Sequence, residues 1–403
     1  MSKIEQLIKK FCPKGVEWVS LGAIATDFFR GNGILRTQVT EEGTPCVRYG
    51  EIYTAYGLSF SKCVSHTNLS YLKSPKYIHT GDIVFAITGE KVEEIGKSTV
   101  YVGNEPCLAG GDTAVMRHKQ NGRYLAYALA TNDAQRQKSR GKKKSKVVHA
   151  SIPDLKKVKI PLPPLPVQNV IANALDAMDA VVKALEEERN ARFEQFEAMR
   201  DKLLKFANGG GGYHKITIEG VCRKICSGGT PSTTKKEYYG GTIPWLRTQE
   251  IDWRDIMETE LTITELGMKN SSAKLIPPNC VIVAMYGATA GKVAINKIAL
   301  TTNQACCNLE IDDTIADYRF VFHWLSYRYL DLKAKGLGSQ SNINAETVRT
   351  YGIVLPSLSE QKKIVAKLDA FMSVVSALDE EIAARREQFA GWLEKLMEFK
   401  EAA

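Results

Sequence analysis

Residue types able to do chemistry are present in this chain, but motif by motif they fail to form a catalytic set. GEKVEEIGKS (Gly89–Ser98) has the outline of a phosphate-cradling loop, yet six residues separate its glycines where nucleotide hydrolases use four. GATAGKV (Gly287–Val293) has three between its glycines, and no hydroxyl residue follows its lysine. The two stretches fall in comparable places of the two halves, each after an apolar run. This predicts one loop used twice, with Lys97 in the first copy and Thr289 and Lys292 in the second approaching a phosphate. The Pro-Pro pairs sit in LPPL (162–165) and IPPN (276–279), so no Asp/Asn-Pro-Pro-aromatic tetrapeptide occurs. No GxGxxG follows a strand-like run either, and a methyl-donor site is not visible. EFK (Glu398–Lys400) copies the end of a nuclease motif without its upstream partner. The six histidines, His66, His79 and His149 among them, show no metal spacing. The reading is a chain with no catalytic residues, no metal and no cofactor of its own.

A binding surface is better supported. KSRGKKKSK (Lys138–Lys146) packs six positive charges into nine residues without an acid. A run of this kind is either a solvated loop or a phosphate clamp of Arg140, Lys142, Lys143, Lys144 and Lys146; its place just before a helix start favours the clamp. The corresponding stretch of the second half, GLGSQSNIN (Gly336–Asn344), offers Ser339, Gln340 and Asn342 instead. Amides bond adenine edges, and arginine or lysine guanine edges, by paired hydrogen bonds. Arg48, Arg247, Gln249, Asn303 and Gln304 are further polar candidates at comparable strand-to-loop positions.

The elements that must position these residues come from a duplication. The segment from Ile160 to Phe206 aligns without a gap to the segment starting at Ile353, and 23 of 47 positions are identical. Fainter echoes precede it: PCVRYGEI (Pro45–Ile52) with PWLRTQEI (Pro244–Ile251), IVFAITG (Ile83–Gly89) with VIVAMYG (Val281–Gly287), and LAGGDTA (Leu108–Ala114) with LTTNQAC (Leu300–Cys306). Each half reads as a variable α+β module followed by a long, well-matched helix. VEWVSL (Val16–Leu21), DIVFAI (Asp82–Ile87) and TAVMR (Thr113–Arg117) are strand-like, while Gly122–Asp133 and Ile315–Leu332 are helical, with Tyr124, Tyr127, Trp324 and Tyr327 toward the core.

Prolines 161, 163, 164 and 166 delay the first long helix. Beyond them a 4-3-4-3 seam runs through Ile171, Leu175, Met178, Val182, Leu185, Arg189, Arg192, Phe196, Met199 and Leu203. The second seam runs through Ile364, Leu368, Phe371, Val375, Leu378, Ile382, Arg385, Phe389, Trp392 and Leu396. Arg192 and Arg385 interrupt both at the same place, either snorkelling at the seam edge or fixing register against the facing helix. An intramolecular antiparallel pair about 60 Å long satisfies both apolar faces; a homodimeric coiled coil is the alternative. KIEQLIKKF (Lys3–Phe11) resembles the tail of each helix, as if the repeat were cyclic, and Gly209–Gly212 joins the halves. The expected domains are a helical segment 1–12, module 13–160, helix 161–206, module 207–353 and helix 354–403.

At 403 residues and 44% hydrophobic content the chain has ample material for two or three cores. No apolar run is long enough for a bilayer, and the first residues lack the apolar region of a secretion signal. Nine cysteines without CxxC spacing suit reduced thiols in the cytoplasm. The net charge of +9 raises the case for a polyanionic partner without deciding it.

IPLPPLPVQ and IVLPSLSEQ heading the duplicated helices, CPKGVEWVSLG (Cys12–Gly22), YGATAGKVAI and TTNQAC together resemble the specificity subunits of type I restriction–modification systems. The resemblance covers essentially the whole chain. The first module departs from the pattern, with GEKVEEIGKS for GATAGKV and AGGD for TTNQ. The resemblance implies an α+β fold of two target-recognition domains separated by two long antiparallel coiled-coil helices with a pseudo-two-fold repeat. It implies double-stranded DNA as ligand, each domain reading half of a split site, with the helices setting the gap. It also implies two methyltransferase subunits carrying S-adenosylmethionine, and restriction subunits using ATP and Mg, as partners. The competing readings are a coiled-coil scaffold, a stand-alone DNA-binding protein and a cryptic nuclease.

Overall fold

The structure, a computed structural model, describes residues 3–143, 146–205, 213–336 and 342–401. The chain forms two compact units, 1–186 with 380–403, and 187–379. Each unit therefore holds one module and parts of both long helices.

Both modules are built on the same five-stranded sheet. In the first unit its strands are β1 (Ala25–Arg30), β2 (Ser59–Phe60), β3 (Ile83–Ala86), β4 (Ser98–Tyr101) and β5 (Thr113–His118), in the order β1-β5-β3-β4-β2. In the second they are β6 (Cys222–Ser227), β7 (Asp255–Ile256), β8 (Val281–Ala284), β9 (Val293–Asn296) and β10 (Cys306–Ile311), in the order β6-β10-β8-β9-β7. The central strands read as unbroken apolar runs because both faces are covered. Ile83 and Phe85 face a core shared with the helices, while Val84 and Ala86 face a second core under another sheet, five-stranded in this module and three-stranded in the other. Val281 and Val283 divide from Ile282 and Ala284 in the same way. The strand period of two thus assigns each side chain to one of two cores.

In the first unit a helix follows β5 at Gly122–Ala130, capped by Asn121, and a second, Asn132–Ser139, continues past Thr131 beyond the expected end. In the other unit Asp317 caps the helix Tyr318–Tyr327, which precedes Tyr329–Ala334. Tyr124, Tyr127 and Trp324 are buried, and Tyr327 is half-buried. A two-strand ribbon leads into each long helix: Trp18–Ser20 against Lys159–Pro161, and His214–Thr217 against Gly352–Leu355.

The long helices run Leu165–Leu204 and Leu358–Met397. Pro166 falls in the first turn, where its missing N–H costs nothing. Two polar residues near each start bind the module's helix. Gln168, fully buried, accepts from the Asn121 N–H at 3.1 Å and donates to the Pro163 carbonyl at 2.7 Å and to Gln120 Oε1 at 2.9 Å. Gln361 accepts from the Asp317 N–H at 2.8 Å and donates to the Pro356 carbonyl at 2.9 Å. Two turns on, Asp176 pairs with Arg123 and accepts from the Tyr127 hydroxyl at 2.7 Å. Asp369 takes the same place between Arg319, at 2.5 Å, and His323, whose Nε2 lies 2.7 Å away. Burial pushes the Asp369 carboxyl up, but the hydrogen bonds from His323 and Arg319 outweigh it and hold it below its ordinary value.

In the first unit Ile171 and Leu175 of the first helix share a core with Leu393 and Met397 of the second, with Phe389 and Leu396 packed against it. Val182 is buried there, and Met178 and Leu185 are half-buried. In the second unit Phe196 and Leu204 share a core with Ile364, Val365 and Leu368, flanked by Leu203 and Phe371; Val375 is buried and Leu378 half-buried. Of the two readings for the seam arginines, the edge position is the one seen, and one seam position, Trp392, is corrected. Arg192 and Arg385 are exposed and bond their own helix, Arg192 to Glu188 and Gln195, Arg385 to Glu381 and Gln388. Trp392 is 39% exposed, and its neighbour Leu393 is buried instead. An α-helix drifts about 20° per heptad from a strict seven-residue repeat, so a seam counted over four heptads ends one residue off the buried face.

The short N-terminal helix Lys3–Phe11 leads to Val16, whose N–H donates to the Lys400 carbonyl at 2.9 Å, beside the last turn of the second long helix. Replacing Gln168 or Gln361 by leucine should cost about 1–3 kcal/mol, since a buried N–H loses its acceptor. Denaturant unfolding checks this, with the exposed Lys363→Ala as the neutral control.

Candidate nucleic-acid interface

The polar candidates of the second module sit on loops at one edge of its two sheets. Strand Tyr239–Leu246 of the smaller sheet runs parallel to Thr301–Thr302, and the Asn303 N–H donates to the Leu246 carbonyl at 2.9 Å. This sets Asn303 and Gln304 beside Arg247. Glu250, buried, accepts the Arg247 N–H at 3.0 Å and the Glu260 N–H at 2.9 Å, which fixes the turn. The Arg247 guanidinium pairs with Glu260 at 2.5 Å. The Gln249 amide, with its oxygen toward Arg247, accepts from both terminal guanidinium nitrogens at 3.2 and 2.7 Å. Asn303 Oδ1 accepts from the Cys306 thiol at 3.1 Å, and Gln304 accepts from the Thr230 hydroxyl.

The turn Gly287–Thr289 lies against the turn Thr248–Glu250. The Gly287 N–H donates to Asn342 Oδ1 at 3.1 Å, drawing Asn342 to the same edge. The structure therefore brings together Arg247, Gln249, Thr289, Asn303, Gln304 and Asn342. Lys292 is held by Asp252 at 2.6 Å. Ser339 and Gln340 lie outside the described residues.

The first module repeats the backbone frame of this edge. Glu51 accepts the Arg48 N–H at 2.9 Å as Glu250 accepts that of Arg247. The Gly110 N–H donates to the Val47 carbonyl at 2.8 Å where Asn303 donates to Leu246. Gly96 and Gly291, both with positive φ, donate to the carbonyls of Ala86 and Ala284. Lys97 and Lys292 are thus one position, but Lys97 donates to the Tyr53 carbonyl at 3.3 Å where Lys292 meets Asp252. One expectation is corrected here. Leu108 and Ala109 pair with Cys46 and Val47 as Thr301 and Thr302 pair with Trp245 and Leu246. Gly110 and Gly111 therefore replace Asn303 and Gln304, one residue off the alignment of AGGD with TTNQ. A two-glycine loop carries no side chain to show its register in sequence.

The basic run divides three ways. Lys138 lies on the helix Asn132–Ser139 and is buried, its Nζ donating to the carbonyls of Gly96 at 3.2 Å and Leu129 at 3.0 Å. Burial pushes its pKa down to about 7. Lys142 pairs with Asp154 at 2.8 Å, and that bond holds the Asp154 carboxyl below its ordinary value. Arg140, Lys143 and Lys146 are exposed, and Lys144 lies outside the described residues. The expected five-residue clamp is reduced: Lys142 is engaged within the chain. The run then leads to Ala150, whose N–H donates to Ile87 at 2.9 Å, as that of Ile343 donates to Met285. His149, set aside for want of a metal spacing, occupies the place of Asn342, with Nδ1 3.1 Å from the Thr88 hydroxyl.

Glu51, Glu250, Gln168, Gln361, Asp176 and Asp369 were not singled out from the sequence. All six sit at identical residues within the repeat, and that identity was the available signal.

Two copies of the family described as type I restriction modification DNA specificity domain match the chain, at residues 13–195 and 211–385. The chain is 30% identical to the Escherichia coli type I restriction enzyme EcoR124I/EcoR124II specificity subunit over 260 residues, which is 60% of this chain and 63% of that protein. It is 25% identical to a putative type I restriction enzyme specificity subunit, MjaX, of Methanocaldococcus jannaschii, over 73% of this chain and 72% of that one. In fold it resembles the type I system S subunit from M. genitalium, with TM-score 0.60 at 15% identity over 95% of this chain and 96% of the other. A chain from a study of complex assembly and conformational transition in a type I R-M system gives TM-score 0.56 at 18% identity, over 96% and 98%. At those identities the structural likeness is one of fold.

Lys138 supplies a prediction in pH. Its folded pKa lies below the unfolded value, so between about pH 7 and about 10.4 the unfolded chain binds the extra proton and stability rises with pH. Lys138→Met should flatten that rise, measured as the difference in unfolding free energy between pH 7 and pH 9.

Proposed function

We infer a DNA-reading role for this chain, which belongs to the type I restriction modification DNA specificity family. The proposed function is that of the specificity subunit of a type I restriction–modification complex, without catalytic residues of its own. The observation that carries it is one backbone edge built twice and dressed differently. Arg247, Gln249, Asn303 and Gln304 line the second copy, while Arg48 and the bare Gly110–Gly111 pair occupy the same positions in the first. Two modules with one scaffold and unlike edges suit two unlike half-words of a split DNA site. The excess of nine positive charges supports a polyanionic ligand.

In this reading the long helices form an antiparallel coiled coil within one chain. Their 40 residues each, about 60 Å, set the spacer between the half-words. Their matching surfaces, alike at about half of their positions, seat two copies of one partner, the methyltransferase subunit. S-adenosylmethionine belongs to that partner, and ATP with Mg to the restriction subunit; this chain binds none of them. A complex of this kind works on cytoplasmic DNA. Among the described residues no helix is long and apolar enough to cross a membrane.

The test is methylation-sensitive long-read sequencing of DNA from cells co-expressing this chain with its methyltransferase. A split motif carrying modified adenine, present only with this chain, supports the reading; no new motif from a co-purified complex overturns it. Inserting one heptad into both long helices should change the spacer and neither half-word. Changing Arg140, Lys143 and Lys146 to glutamine should lower the salt slope of DNA binding by about one for each phosphate they neutralise. Lys142→Gln should instead lower thermal stability, because Asp154 loses its partner.

A further inference from the structure

The first module lacks side chains where the second presents Asn303 and Gln304, and another pair of residues stands beside the gap. Gly31 and Gly228 are equivalent positions: the Gly31 N–H donates to the Thr113 carbonyl at 2.9 Å as that of Gly228 donates to Cys306 at 3.4 Å, and the Asn32 N–H donates to Ala109 at 2.8 Å as that of Gly229 donates to Thr302 at 2.8 Å. The residue before each glycine therefore ends β1 or β6 at the same point of the edge. In the second module it is Ser227, opposite a loop that ends in Ala305. In the first it is Arg30, and Asp112 replaces Ala305.

Arg30 and Asp112 form an ion pair across the edge. Asp112 is held by its backbone, since its carbonyl accepts the Ile87 N–H at 2.9 Å and its φ is 57°. A non-glycine residue at positive φ is uncommon, and here it turns the carboxylate toward Arg30. The Arg30 carbonyl is fixed by Lys76 Nζ at 2.7 Å. Lys76 in turn is placed by Asn32, whose Oδ1 accepts the Lys76 N–H at 2.7 Å and whose Nδ2 donates to the Ser74 carbonyl at 2.8 Å. The Arg30 side chain nevertheless remains 62% exposed. Arg247 of the other module is likewise braced by a carboxylate, Glu260, although its side chain is only 27% exposed.

We propose that Arg30, oriented by Asp112, is the base-reading arginine of the first module and takes the major-groove edge of a guanine. The proposal rests on the DNA-reading function inferred above and adds a residue and a base class to it. Arginine's planar fork pairs bidentately with guanine O6 and N7 in one fixed geometry, whereas lysine reaches the same atoms with a flexible ammonium that is less exacting. A phosphate contact, by contrast, needs only charge.

The experiment is the same methylome read-out on the full chain co-expressed with its methyltransferase, comparing Arg30→Ala, Arg30→Lys and Asp112→Asn. Arg30→Ala should relax one guanine position of one half-word, with discrimination there falling about 5- to 150-fold, the equivalent of 1–3 kcal/mol. The other half-word and the spacer should not change. Arg30→Gln, compared alongside, should relax the same position, and Arg30→Lys and Asp112→Asn should do so more weakly. An unchanged motif in Arg30→Ala overturns the assignment, as does an intact motif with uniformly weaker binding, which marks a phosphate contact. If Arg30→Ala abolishes all methylation, Arg30→Gln decides, since glutamine cannot offer guanine two donors: a relaxed guanine supports the proposal and an intact word overturns it. A native chain that directs no motif would instead overturn the DNA-reading function itself.

Discussion

Everything that positions the candidate edge depends on two polar side chains near the start of each long helix. Gln168 and Gln361 are buried, and each accepts the N–H that precedes the first turn of a module helix while donating to a proline carbonyl five residues earlier. A buried amide has few ways to satisfy both ends, so the bond fixes distance and direction together. Asp176 and Asp369 repeat the restraint two turns further on, with Arg123 and Tyr127 in one unit and Arg319 and His323 in the other. Apolar packing alone would tolerate sliding by a turn; these groups do not.

With the helix fixed, the sheet above it is fixed, and its loops inherit that rigidity. The edge is specified mainly by backbone bonds: Gly110 to Val47 and Asn303 to Leu246, Ala150 to Ile87 and Ile343 to Met285. Backbone bonds are indifferent to side-chain identity, which lets the loops differ while the frame stays the same. The two arginine turns are the shared exception, because Glu51 and Glu250 must be acceptors at one place. Divergence is concentrated where side chains face solvent, as Arg30 and Asp112 against Ser227 and Ala305 illustrate.

Charge counted along the chain was a poor guide to charge presented at the surface. Of the residues from Lys138 to Lys146, one lysine is buried against two carbonyls, another is neutralised by Asp154, and Arg140, Lys143 and Lys146 are exposed. Nothing in the local sequence separates Lys138 from its neighbours. Its position on a helix face, over a loop closed by the positive-φ Gly96, does.

The duplication, the two long helices, the apolar central strands and the family were legible in the residues themselves. Those features rest on local periodicity and on identity between halves, and neither needs a third dimension. Tertiary structure alone decided which seam residues stay buried, since helical drift against a seven-residue count moves the face from Trp392 to Leu393. It alone decided the register of the glycine loop, which has no side chains to align. It also decided which polar residues meet, because Arg247 and Asn303, or Arg30 and Asp112, are brought together only by strand pairing between segments far apart in the chain.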